Sequence, residues 1–168
     1  MRILILIFLV LLSFNSCKST KRISDNSKRT EHTSIENKTT NQLANKIVQN
    51  AETYKGVRYK YGGITSKGMD CSGLIFVSFK EEHILLPRVS YDMAKSGKHI
   101  KLSEVKKGDL LFFKTNKNRN VINHVGLVIN SKNGFIEFIH STTSEGVIIS
   151  SLQEQYWFSV FIEARRIL

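Results

Sequence analysis

Cys71 stands in "KGMDCSGLIFVSF" (67–79), between a glycine-containing stretch and an apolar run. A thiol attacks a carbonyl as the thiolate, and an ordinary cysteine is mostly protonated at neutral pH. The oriented N–H groups at a helix start lower that pKa. Leu74, Ile75, Phe76 and Phe79 recur at helical spacing from Cys71 to about Glu82, which sets Cys71 at such a start with Asp70 as the N-cap. The amides of Cys71 and Ser72 then become donors for a developing oxyanion. A cysteine serving only the core would sooner sit further along, among Leu74 and Phe76.

A cysteine hydrolase also needs a base, ordinarily histidine. The chain has five histidines. His32 lies in a polar tract, His83 follows a helical run among acids, and His99 is in a polar loop; each reads as a surface residue. His124 opens the apolar stretch "HVGLVI" and His140 closes "GFIEFIH". If these are neighbouring strands of a hairpin, the start of one lies beside the end of the next. The imidazoles then share one edge of the sheet, one acting as base and the other holding its ring in the useful tautomer. Either histidine alone is more simply a packing residue. Cys71, His124 and His140 as metal ligands form the other reading, but no paired-cysteine or close histidine spacing accompanies them.

The elements that must hold these residues follow from hydrophobic period. "NQLANKIVQNAETYKG" sets Leu43, Ile47, Ala51 and Tyr54 at helical spacing and stops at Gly56. "VRYKYGGITSKGM" is a loop by its punctuation, and "PRVSYDMAKSG" a connector with a short helix. Strands follow at 109–115, 124–130, 134–141, 146–151 and 157–167, with "NSKNG" marking a hairpin. Helices first and antiparallel strands after them predict an α+β domain.

The chain of 168 residues fits one domain with an additional N-terminal segment. In residues 1–16, "MRILILIFLVLLSFNS", the apolar run from Ile3 to Leu12 is too short for the roughly twenty residues of a spanning helix and reads as the core of an export signal. "FNSC" resembles the lipobox of bacterial lipoproteins, with Phe14 where that pattern prefers leucine; the resemblance makes Cys17 a lipidated first mature residue. If Cys17 is acylated, Cys71 is left without a disulfide partner and calls for another purpose. A Cys17–Cys71 disulfide is the competing arrangement. Residues 17–42 are polar and read as a basic, flexible tether, which leaves 43–168 as the folded domain. The net charge of +11 is spread over tether and domain. No aromatic-interleaved basic stripe points to nucleic acid, so an anionic cell-wall polymer or lipid headgroup surface is the expected partner.

"VRYKYGGITSKGMDCSGL", "LPRVSYDM", "KKGDLLFF", "NHVGLVI", "FIHSTTSEGVIISS" and "YWFSVFIEARRIL" together resemble the NlpC/p60 cysteine peptidases, most nearly their Spr/MepS type of lipoprotein murein endopeptidase. The resemblance covers roughly 43–168. It implies a reduced papain-like fold, with the nucleophile helix packed on a five- to six-stranded antiparallel sheet. It also implies Cys71 as nucleophile, His124 as base and His140 as the residue orienting it. Tyr59, Ser72 and Asp70 match positions in or lining the site. The implied substrates are peptidoglycan stem peptides, cut at a D-alanyl-diaminopimelate cross-link or a γ-D-glutamyl-diaminopimelate bond. No cofactor or metal is implied, and a monomer is expected. Lys18 after the cysteine favours the periplasmic face of an outer membrane. Tyr61 departs from the family's usual tryptophan or phenylalanine, and the polar insert "KTNKNRNVIN" alters the rim before His124. The same scaffold also suits a catalytically silent binding lipoprotein, or an amidase or acyltransferase acting on another substrate.

Overall fold

The structure, a computed structural model, describes residues 24–116, 118 and 120–168, and side chains from residue 36 onward. The expected export signal at 1–16 and the lipidated Cys17 lie outside the described residues, as does the side chain of His32. Among the described residues no helix is long and apolar enough to cross a membrane.

Helix α1 runs over Ser24–Glu52, whereas hydrophobic spacing predicts a start near Gln42; from Ser24 the expected tether is helical. The spacing finds only the turns that pack, where Ile47, Val48 and Ala51 are buried. A helix is costly to nucleate and cheap to extend, and no glycine or proline interrupts 24–42.

A compact unit spans Lys38–Leu168. It contains a small ribbon of β1 (Ile64–Thr65) and β2 (Gly68–Met69), helix α2 (Cys71–Lys80) and the short α3 (Ser90–Met93). Then come β3 (Lys98–Ile100), β4 (Leu110–Phe113), β5 (His124–Lys132), β6 (Phe135–Thr142), β7 (Gly146–Ser151), α4 (Gln155–Val160) and β8 (Phe161–Arg166). Strands β3 to β8 form a six-stranded sheet in the order β3-β8-β4-β5-β6-β7, antiparallel at every pairing. The α+β architecture expected from the sequence is the one observed.

Two departures are local. The edge strand β3 is three residues long with Lys98 and His99 exposed, too short and polar to give a period-2 signal, so His99 lies on a strand rather than in a loop. "WFSVFIEARRI" is not one strand: its first half belongs to α4, where Trp157 is buried against the sheet. Period alone does not separate a short apolar helix from a strand.

The sheet is covered on both faces. All of β4 is buried, and its residues divide by period 2: Leu110 and Phe112 pack with Ile47, Leu74, Ile75 and Phe79, Leu111 and Phe113 with Phe138, Leu152 and Trp157. The β5–β6 hairpin closes on Asn133 and Gly134, both at positive φ (51° and 79°), as the favoured two-residue turn requires. The ends of β4 and β8 are tied by Asp109, whose carboxylate accepts from Arg166 Nε at 2.9 Å and Nη2 at 2.7 Å.

Candidate active site

Helix α2 begins at Cys71, and Asp70 caps it: Oδ1 accepts from the Gly73 amide at 2.6 Å and Oδ2 from the Gly62 amide at 2.8 Å. Arg88 grips the same carboxylate two-pronged, Nη1 to Oδ1 and Nη2 to Oδ2, both at 2.9 Å. It also donates to Ser72 Oγ at 2.9 Å and to the Gly63 carbonyl at 3.2 Å. The helix start and the 60–63 turn thus share one charge-assisted network. The approach is so close that a Cβ on Gly73 would be driven into the Gly63 carbonyl oxygen, which accounts for glycine two residues after the cysteine.

Cys71 is a free, buried thiol. Burial pushes it up to about 11; backbone N–H groups of Val125, Ser72 and Cys71 itself pull the other way, while the charge of Asp70 adds to the rise. These amides are the donors expected at a helix start, joined by one from β5 that the sequence does not signal.

The β5–β6 hairpin brings the two histidines together. His124 opens β5, His140 lies near the end of β6, and His124 Nε2 is 2.9 Å from His140 Nδ1. With Nε2 engaged, Nδ1 is the nitrogen His124 has left for Cys71, which lines the same cavity of about 480 Å³. His140, fully buried, has its other nitrogen 3.0 Å from Ser150 Oγ on β7. Aromatic rings wall the pair: Trp157 stacks on His124 with centroids 5.2 Å apart and meets His140 edge-on at 4.5 Å. Phe138 lies against His140 at 4.7 Å and Phe113 against His124 at 5.9 Å.

Burial lowers His124 to about 4, and burial together with the charge of His124 lowers His140 further. Both rings are therefore neutral at neutral pH. Because the unfolded chain takes up these protons near pH 6.5 and the folded chain does not, stability is full above that value and lost as pH falls toward 4. For His124 alone the loss approaches about 3 kcal/mol. Thermal melts between pH 7 and pH 4.5 are expected to show a falling midpoint, and a flat midpoint over that range would refute the account.

Tyr59 is half-buried and lines both this cavity and a second one of about 690 Å³ that Cys71 also lines. Burial raises its phenol, and nearby Cys71 and Asp70 raise it further. Ser72 lines the second cavity, but its hydroxyl is engaged by Asp70 and Arg88. Asn116, Val121 and Ile122 of the polar insert line that cavity too. Arg88, Ser150 and Trp157 are the site residues that sequence reasoning passed over. Of these Arg88 lies in "LPRVSYDM", a segment quoted above for its resemblance and not for a partner to Asp70.

Residues 56–166 match the NlpC/P60 family. A murein DD-endopeptidase/murein LD-carboxypeptidase of Escherichia coli K12 is 40% identical over 127 residues, which are 75% of this chain and 64% of that protein. A gamma-D-glutamyl-L-lysine dipeptidyl-peptidase of Bacillus subtilis is 36% identical over 124 residues, 73% of this chain and 40% of that one. Among solved structures, an NlpC/P60 family protein from Bacillus cereus superposes with a TM-score of 0.68 at 27% identity, covering 74% of this chain and 40% of the other. The chain thus spans just under two thirds of the first relative and less than half of the other two.

Proposed function

This chain belongs to the NlpC/P60 family, and on that premise we propose that it is a thiol endopeptidase of the bacterial cell wall, hydrolysing an amide bond in peptidoglycan stem peptides. The observation that carries the reading is one buried cluster: a thiol at a helix start, in one cavity with a histidine whose far nitrogen is held by a second histidine. Cys71 is the nucleophile. As its sulfur attacks the carbonyl carbon, the thiol proton passes to His124 Nδ1, and the amides of Cys71 and Ser72 hold the developing oxyanion. His124 then gives that proton to the departing amine. In the second half it takes a proton from water, hydroxide displaces Cys71 from the acyl group, and the thiol is restored. His140 orients His124, and Tyr59 lines the substrate side.

The two relatives named above cut different bonds, so the amide must be read from products. Digests of purified sacculi analysed by mass spectrometry are expected to show cross-linked dimers resolved to monomers, as the 40% identical murein endopeptidase implies. Shortened monomers with dimers intact would assign the γ-D-glutamyl bond instead, and unchanged muropeptides would end the reading.

Lipid attachment at Cys17 and residence in the cell envelope, facing the periplasm from the outer membrane, complete the proposal. They are supported by the apolar run and "FNSC" ahead of the domain. Cys17→Ala is expected to move the protein from the membrane pellet to the soluble fraction; an unchanged distribution would sink the anchor. The acting unit in this proposal is a monomer.

A further inference from the structure

We propose that Ser150 is a positioning residue that sets the tautomer of both histidines, a role that rests on His124 being the base. The relay reads outward from the sulfur: Cys71, His124, His140 and Ser150, with ring nitrogens 2.9 Å apart and the last nitrogen 3.0 Å from the hydroxyl oxygen. A neutral imidazole has one N–H and one lone pair, so the choice at one end of a chain of two rings fixes the other end. If Ser150 Oγ accepts from His140 Nε2–H, then His140 Nδ1 is a lone pair and accepts from His124 Nε2–H. His124 Nδ1 is then also a lone pair, able to take the proton of Cys71. If the chain runs the other way, His124 carries its proton on Nδ1 and has nothing to accept with.

Only the first direction also serves the charged state. Once His124 Nδ1 has taken the thiol proton, its Nε2–H still needs the His140 lone pair, and His140 Nε2–H still needs an oxygen. No proton leaves the relay, and the one on Nδ1 goes on to the amine. No other side chain takes its place, because Phe138 and Trp157 pack on His140 and it is fully buried. Without the hydroxyl, His140 Nε2–H would be a buried donor lacking a partner, a costly state. Shifting both protons to Nδ1 trades that donor for a bare ring nitrogen, and it disables the base.

Long-range 15N–1H correlation spectra of the imidazoles test this without reference to activity. The wild-type protein is expected to carry its protons on Nε2 of both His124 and His140, and Ser150→Ala on Nδ1 of both. On sacculi, kcat of Ser150→Ala should fall by roughly 10²- to 10⁴-fold with KM little changed, the upper end being the loss for a base held in the wrong tautomer. Ser150→Thr, which keeps the hydroxyl, should restore both readouts. Unchanged tautomers in Ser150→Ala, or kcat within about twofold of wild type, overturns the proposal. Should that variant not fold, a wild-type His124 protonated on Nδ1 overturns it equally. A wild type with the expected tautomers but no hydrolysis of sacculi would leave this role standing and remove the peptidase reading instead.

Discussion

Cys71→Ala is expected to abolish release of muropeptides from purified sacculi, a loss of roughly 10⁴-fold or more, while the domain stays folded. The two halves of that expectation have separate causes. On the proposed mechanism activity depends on the one atom removed, because no other thiol lies among the described residues and nothing else at the helix start is nucleophilic. Ser72, the adjacent hydroxyl, is held by Asp70 and Arg88. Stability depends on the helix behind the cysteine: Leu74, Ile75 and Phe79 are fully buried, and the cap is made by Asp70. Losing one sulfur costs about 1 kcal/mol of burial, within the stability of an ordinary domain. Cys71→Ser should be nearly as inactive, since a hydroxyl is far less acidic than a thiol and His124, lowered to about 4 by burial, is a weak base. The measurement is muropeptide release beside a circular-dichroism melt. Wild-type turnover by a folded Cys71→Ala protein would remove the catalytic reading altogether.

The parts of this site that the sequence announced are those made by neighbours in the chain or by a tight reversal. Asp70, Cys71 and Gly73 belong to one helix start, and capping chemistry is local. His124 and His140 came together because Asn133–Gly134 sets the register of the hairpin between them. What escaped was set by side chains reaching across the fold. Arg88 meets Asp70 from a connector eighteen residues on, and no local pattern records that reach. Ser150 sits on a strand whose alternation says which face it occupies, but not which ring nitrogen it meets. Trp157 was absorbed into an apparent strand because helix and strand periods agree over a short apolar run. The helix from Ser24 escaped for the opposite reason: its first turns have no apolar face for a pattern to find.

Asp70→Ala should destabilise the domain by about 3 kcal/mol. It removes the acceptor for two amides, Gly62 and Gly73, and leaves Arg88 without its counter-ion. A fully buried unpaired charge would cost more, but Arg88 keeps about a third of its side-chain exposure (32%) and can turn to water. Arg88→Ala should cost somewhat less, since Asp70 retains the two amides. If the network acts as a unit, a double-mutant cycle of the two in urea gives a coupling of about 1–3 kcal/mol; additive losses within about 0.5 kcal/mol would show that the groups act separately. Asp70→Asn discriminates further, because it keeps an acceptor for the cap but not the charge that Arg88 grips. The same network fixes the direction of the amides of Cys71 and Ser72 relative to the sulfur. Well below its melting point, Asp70→Asn should therefore still lose kcat while KM changes little, because donors misdirected by a fraction of an ångström bind the substrate well and the oxyanion poorly.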